Sequence, residues 1–213
     1  MIKTIIISGG DINKKFAKNE ITNKDYKNII AVDKGLEVLD KCKIKPNYII
    51  GDFDSVDKKI LKKYINDKSI KVIKLNPEKD YTDTHMAIKH AIELESTDIT
   101  IIGAIGTRID HTLANIHILK ETLENKIRCN IVNEKNNIFL VDTTIEIKKE
   151  YPYISLIPFT TTVKDVTLKG FKYTLDNATM KIGESIGISN EQIEEKAIIE
   201  IGEGILIIIQ SLD

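Results

Sequence analysis

Tryptophan is absent from the 213 residues, and there are only two cysteines, four prolines and eleven glycines. Cys42 and Cys129 stand far apart in the chain. That excludes a disulfide framework and a Cys-x-x-Cys metal knuckle, and buried reduced thiols are expected instead. So little glycine and proline excludes collagen-like and low-complexity classes. Neither sign of charge is in excess: 31 Lys plus Arg stand against 32 Asp plus Glu, a net charge of −1. A basic nucleic-acid surface spread over the chain and an acidic tail are therefore excluded. The longest apolar run, Ile205–Ile209, is far below the ~18–20 residues that cross a bilayer. The run Ile5–Ile7 is too short for a signal-peptide core. A cytoplasmic protein with no membrane and no nucleic-acid partner is expected.

What is present changes character along the chain. The first part alternates β-branched runs with helical patterns. Strands are predicted at Thr4–Ile7, Asn28–Val32, Tyr48–Ile50, Ile70–Leu75, Asp98–Ile102 and Arg128–Val132, and helices near Lys34–Lys41, Val56–Ile65, Thr82–Glu95 and Ile109–Glu124. Such alternation indicates a mostly parallel sheet covered by helices on both faces, a three-layer αβα domain. After about Asn133 helical periodicity disappears. Short strand-like runs follow at turn-sized intervals, among them Thr161–Leu168, Phe171–Thr174, Ser185–Ile188 and Ile205–Ile209. An antiparallel β-sandwich is expected there. The predicted division is an α/β domain at 1–135 and a β-sandwich domain at 136–213.

The polar residues of the first part cluster after its strands. Asp33-Lys34-Gly35 follows the second, Gly51-Asp52-Phe53-Asp54-Ser55 the third, and Lys79-Asp80-Tyr81-Thr82-Asp83 the fourth. The segment from Gly103 to His111 follows the fifth, and Asn133-Glu134 the sixth. Parallel strands end on one edge, where ligands bind. Asp52 and Asp54 alternate around Phe53, so in an extended segment both face one way and Phe53 faces the core. Asp80 and Asp83 lie at a helix start, where Asp80 is a candidate N-cap and Asp83 a first-turn residue. Four carboxylates in one cleft repel unless a cation bridges them. A hard oxygen-ligated ion such as Mg²⁺ suits them, with phosphate oxygens completing its shell.

Gly103 and Gly106 permit close backbone approach before the next helix, whose N-terminus favours an anion. Arg108 can grip phosphate with two nitrogens, and Asp110 and His111 open that helix. His85, His90 and His117 have no ligand spacing and are expected at the surface or in packing. No GxxxxGK[ST], GxSxG or HExxH occurs, and Ser8-Gly9-Gly10-Asp11 does not match GxGxxG.

In this order, Asp33-Lys34-Gly35, GDFDS at 51–55, KDYTD at 79–83, GAIGTRIDH at 103–111 and Asn133-Glu134 resemble the thiamine pyrophosphokinase (thiamine diphosphokinase) family. Gly187-Ile188-Ser189-Asn190 extends the likeness into the second part. The resemblance implies a transferase of thiamine diphosphate biosynthesis. It would be a kinase that moves the diphosphoryl group of ATP to the thiamine hydroxyl and releases AMP. It implies Mg²⁺ as cofactor, ATP as co-substrate, and a homodimer with shared active sites. The alternative is a catalytically silent thiamine- or nucleotide-binding module. By resemblance, Asp52, Asp54, Asp80 and Asp83 hold the metal, and Asp54, Asp80, Asp83 and Arg108 are catalytic. Asp33, Gly35, Gly103, Gly106, Arg108, Asp110 and His111 bind nucleotide. Thr82, Asp83, Ser189 and Asn190 bind thiamine. The last strand carries no tryptophan to cover the thiamine ring.

Overall fold

The computed structural model describes residues 1–78 and 80–212, so Lys79, the first residue of the KDYTD motif, and Asp213 lie outside the described residues. The chain forms two compact units, Met1–Glu134 and a second beginning at Lys135.

The first unit holds six strands: β1 (Lys3–Ile7), β2 (Asn28–Val32), β3 (Tyr48–Gly51), β4 (Lys71–Lys74), β5 (Asp98–Ile102) and β6 (Arg128–Val132). All are parallel, in the order β6-β5-β1-β2-β3-β4. The apolar runs become strands because both faces are covered. Ile5 and Ile7 pack into a core with Leu36, Leu39 and Cys42 of α2 (Gly35–Cys42), Ala17 and Ile21 of α1 (Lys14–Thr22), and Tyr64 of α3 (Lys58–Ile65). Ile6 alternates to the other side of β1. There α4 (Asp83–Glu93) packs on β1, β2 and β3, burying Ala87, Ile88 and Ala91.

Some elements depart from the expected pattern. The helix α1 has a weakly apolar sequence, KKFAKNEIT, and is started by Asn13, whose Oδ1 accepts from the N–H groups of Lys15 and Phe16. The run 109–124 is divided at Ile118 into α5 (Ile109–His117) and α6 (Leu119–Glu124). Among the described residues no helix is long and apolar enough to cross a membrane.

The second unit is a sandwich of two antiparallel sheets. One has the order β12-β9-β14-β7, from β7 (Asn136–Val141), β9 (Tyr153–Pro158), β12 (Asn190–Glu191) and β14 (Leu206–Ser211). The other has the order β11-β10-β13-β8, from β8 (Ile145–Lys148), β10 (Thr162–Lys169), β11 (Ala178–Lys181) and β13 (Lys196–Glu200). Ile154, Leu156, Leu206 and Ile208 of the first sheet share a core with Val163, Val166, Leu168, Ala197 and Ile199 of the second. The α/β first part and the antiparallel sandwich are as the sequence predicts. Phe171–Thr174 and Ser185–Ile188, however, are turns rather than strands. Phe171 is drawn into the core and makes only an isolated bridge to Gln192, and Gly183 takes φ 90° just before the second segment.

Candidate active site

The central strand β1 lies between β2 and β5, so the chain winds outward in opposite directions from it. A crevice opens at such a point, at the carboxyl ends of the strands. The pocket found there has a cavity volume of about 450 Å³. Every strand from β1 to β5 contributes to it through the segment that follows. Ser8 to Asp11 come from β1, Asp33 and Lys34 from β2, Ser55 from β3, Thr82 to Thr84 from β4, and Gly103 to Arg108 with His111 and Asn115 from β5.

Local chemistry fixes these segments. Ser8 Oγ and Thr84 Oγ1 are buried and 2.6 Å apart, which ties the end of β1 to the first turn of α4. Asn115 donates its Nδ2–H to the carbonyl of Ala104 at 2.8 Å and holds the glycine loop against α5. Thr112 Oγ1 accepts from the N–H of Gly106 at 3.3 Å. Asp33 takes φ 44° at the end of β2, and its Oδ1 accepts from the N–H of Phe53 at 3.4 Å. Gly51, at φ 155°, makes this approach possible: a β-carbon there would lie 1.9 Å from Asp33 Oδ1.

Two expectations about the carboxylates are corrected. Thr82, not Asp80, caps α4, with its Oγ1 accepting from the N–H of His85 at 3.2 Å. Asp80 lies two residues too early for that bond. Residues 52–54 are not extended either. Phe53 has φ 65° and Asp54 donates its N–H to Asp52 Oδ1 at 3.1 Å, so the segment turns, while Phe53 still packs against the core.

Of the residues singled out in the sequence, Asp33, Thr82, Asp83, Gly103, Gly106, Arg108 and His111 line the pocket. Asp83 opens α4 at the pocket, with Oδ1 shielded from solvent. Asp52, Asp54, Asp80 and Asp110 belong to the same edge but not to the lining. Gly35 is buried against β1 and serves packing. Ser189 and Asn190 lie in the second unit. The sequence motifs placed Lys34, Ser55 and Thr107 at this edge without giving them a role, and sequence reasoning missed Ser8, Gly9, Gly10, Asp11 and Asn115. The position of the first loop at the crevice could have revealed it even without a GxGxxG match.

Among the described residues, Lys34 and Arg108 are the lysine and arginine that line the pocket. Arg108 donates to both carboxylate oxygens of Asp110, at 3.2 and 2.6 Å. The guanidinium and the neighbouring His111 N–H hold the Asp110 carboxyl down at about 2. Both side chains are largely exposed, at 70% and 64%, so the pair is screened by water and easily opened. An anion entering the pocket can take the guanidinium from Asp110. The starts of α2, α4 and α5 all meet this edge, and the positive ends of their dipoles favour negative charge.

In the second unit, Asn190 is buried and structural. Its Oδ1 accepts from the N–H groups of Tyr173 and Glu191 at 3.0 and 2.9 Å, and its Nδ2 donates to the Tyr173 carbonyl at 2.7 Å. Ser189, exposed at φ 54°, donates its N–H to Ser155 Oγ at 3.0 Å. Asn190→Ala strands three backbone groups and should cost about 2–4 kcal/mol. Urea unfolding measures this, and a loss below about 1 kcal/mol would show that water replaces the amide.

These features define a class: an α/β protein with an anion-favouring pocket where its parallel sheet reverses winding. Two family models match this chain, "Thiamin pyrophosphokinase, catalytic domain" over residues 19–131 and "Thiamin pyrophosphokinase, vitamin B1 binding domain" over residues 142–206. The thiamine pyrophosphokinase of Bacillus subtilis is 35% identical over 188 residues, covering 86% of this chain and 87% of the relative. Its crystal structure superposes with a TM-score of 0.89 at 32% identity, covering 99% of each chain. The thiamin pyrophosphokinase of Geobacillus thermodenitrificans superposes with a TM-score of 0.87 at 30% identity, covering 100% of this chain and 98% of that one. The chain belongs to the thiamine pyrophosphokinase family.

Proposed function

We propose that this protein is a thiamine diphosphokinase, converting ATP and thiamine to AMP and thiamine diphosphate. The observation that carries this reading is the convergence of five strand-end segments on one polar, glycine-rich pocket, in a chain matched by both family models. The thiamine hydroxyl oxygen attacks the β-phosphorus of ATP. The bond from that phosphorus to the oxygen bridging it to the α-phosphate breaks, and AMP leaves with that oxygen. The hydroxyl proton passes to a carboxylate of the same edge, Asp54 or Asp80. Such transfer needs alignment and charge stabilisation more than covalent help.

The residues have distinct tasks in this reading. The Ser8–Asp11 and Gly103–Arg108 segments present backbone N–H groups to the phosphates. Arg108 exchanges Asp110 for phosphate oxygens and offsets their charge. Asp33, Asp110 and His111 belong to the nucleotide side, while Thr82 and Asp83 adjoin the thiamine hydroxyl. Ser189, and Asn190 through the backbone it braces, belong to the thiamine subsite, supplied by the partner in a homodimer. Exposed Ile182, Ile186 and Ile188 beside Ser189 support a second copy covering this surface.

The donor chemistry suits magnesium. The candidate ligands Asp52, Asp54, Asp80 and Asp83 are hard oxygen donors on the segments following β3 and β4. Among the described residues no three His, Cys, Asp or Glu side chains form a metal-holding group. Mg²⁺ needs no such cage, because one or two carboxylates with phosphate oxygens and water suffice. When bound, it would neutralise phosphate charge.

Incubating the purified protein with ATP, Mg²⁺ and thiamine tests the proposal. One AMP should appear for each thiamine diphosphate, and none without thiamine. Binding of both substrates without AMP release, or ATP hydrolysis independent of thiamine, would overturn it.

A further inference from the structure

Outside the pocket, four side chains close into a ring on the outer face of α4. Tyr81 precedes the helix, and His85 and Lys89, four residues apart, share one face of it. Glu121 of α6 meets them with both carboxylate oxygens. Its Oε2 lies 2.6 Å from His85 Nε2, and its Oε1 accepts from Lys89 Nζ at 2.8 Å. The Lys89 ammonium stands 4.9 Å above the Tyr81 ring, and that ring meets His85 edge-on at 4.7 Å. The Glu121 and His85 side chains are only 29% and 18% exposed, so these contacts are less screened than surface pairs. Burial works against the Glu121 charge, but Lys89 and His85 outweigh it and hold the carboxyl below its ordinary range.

The ring ends on Tyr81, which sits between Asp80 and the cap Thr82, next to Asp83. A tyrosine half exposed to water gains little from burial. Two partners, Lys89 and His85, nevertheless hold its ring, and that fixes the turn leading into α4.

We propose that Glu121 is a positioning residue for the reaction: through His85 and Lys89 it holds Tyr81, and with it the Asp80–Asp83 turn, in the arrangement that presents Asp83 to the pocket. The assignment rests on the diphosphokinase reading. Glu121 itself lines no part of the pocket, so its effect reaches the chemistry only through geometry. Misplacement by about 1 Å can cost about a hundredfold in rate.

Steady-state kinetics on Glu121→Ala, Tyr81→Leu, Tyr81→Phe and the double variant Glu121→Ala/Tyr81→Leu provide the test. Glu121→Ala should lower kcat about tenfold with KM for ATP within about twofold of wild type, because alignment is lost and ATP binding is not. Tyr81→Leu should match it, and Tyr81→Phe should restore wild-type kcat by keeping the aromatic face. The double variant should be no worse than either single one, as expected for residues acting in one chain of contacts.

Wild-type kcat in Glu121→Ala, additive losses in the double variant, or equal rates for Tyr81→Leu and Tyr81→Phe would each overturn the proposal. The tyrosine pair decides the matter if Glu121→Ala fails to fold. If the wild-type protein releases no thiamine-dependent AMP, the diphosphokinase reading fails separately. Amide hydrogen exchange over residues 80–84 then judges the ring: faster exchange in Glu121→Ala supports it, and unchanged exchange overturns it.

Discussion

Asp83→Asn should lower thiamine-dependent AMP release at least about a hundredfold while leaving the fold intact. Asparagine has the same shape and the helix keeps its Thr82 cap, so packing of α4 is preserved. The lost attraction between a carboxylate and the helix start costs about 0.3–1 kcal/mol. What disappears is a negative oxygen donor at the pocket, at the point where phosphate, cation and thiamine hydroxyl would meet. Turnover measured beside thermal unfolding separates the two effects. Turnover within about threefold of wild type would remove Asp83 from the chemistry.

The second large effect concerns Gly35, whose loss should unfold the first unit more readily without removing any polar group. A β-carbon there would lie 1.9 Å from the carbonyl oxygen of Ile7 and 2.7 Å from its carbonyl carbon. Both atoms belong to the backbone of β1, the strand held on both sides, so neither can yield cheaply. Gly35→Ala should therefore cost about 3 kcal/mol, the upper end for overpacking. That corresponds to a fall in unfolding temperature of about 6–12 °C for a chain of this size. A loss below about 1 kcal/mol would mean that α2 slides outward with little resistance. The same slide would carry Lys34 and Asp33 away from the pocket, so activity should fall with stability.

The architecture was legible because burial on both faces leaves a clear mark. Ile5–Ile7 and Ile29–Val32 are uninterrupted apolar runs, and Ile99–Ile102 is broken only by Thr100; such runs between helical patterns admit few folds. The α1 helix was not legible. KKFAKNEIT buries only Ala17 and Ile21, and its start depends on the Asn13 side chain rather than on periodicity. Phe171 misled in the opposite direction: the segment Phe171–Thr174 reads as a strand, but the ring fills the sandwich core from a turn.

The site was legible where residue type matched the winding reversal, as at Asp83 and the Gly103–Arg108 segment. It was illegible where the backbone turns against expectation. The left-handed Phe53 removes the simple alternation of Asp52 and Asp54. Gly35 also permits a helix to touch a strand, which residue type alone does not announce. Asn190 braces the Tyr173 backbone, which no spacing rule announces.

The placement of β1 also governs how the polypeptide emerges during synthesis. Its register joins Thr4 to Asn28 on one side and Lys3 to Asp98 on the other. The first partner leaves the ribosome soon after β1 does, but the second arrives only when most of the first unit has been made. Until then Ile5–Ile7 present an open, sticky margin to other nascent chains. Premature termination before Ile102 should therefore yield aggregates rather than a smaller folded protein.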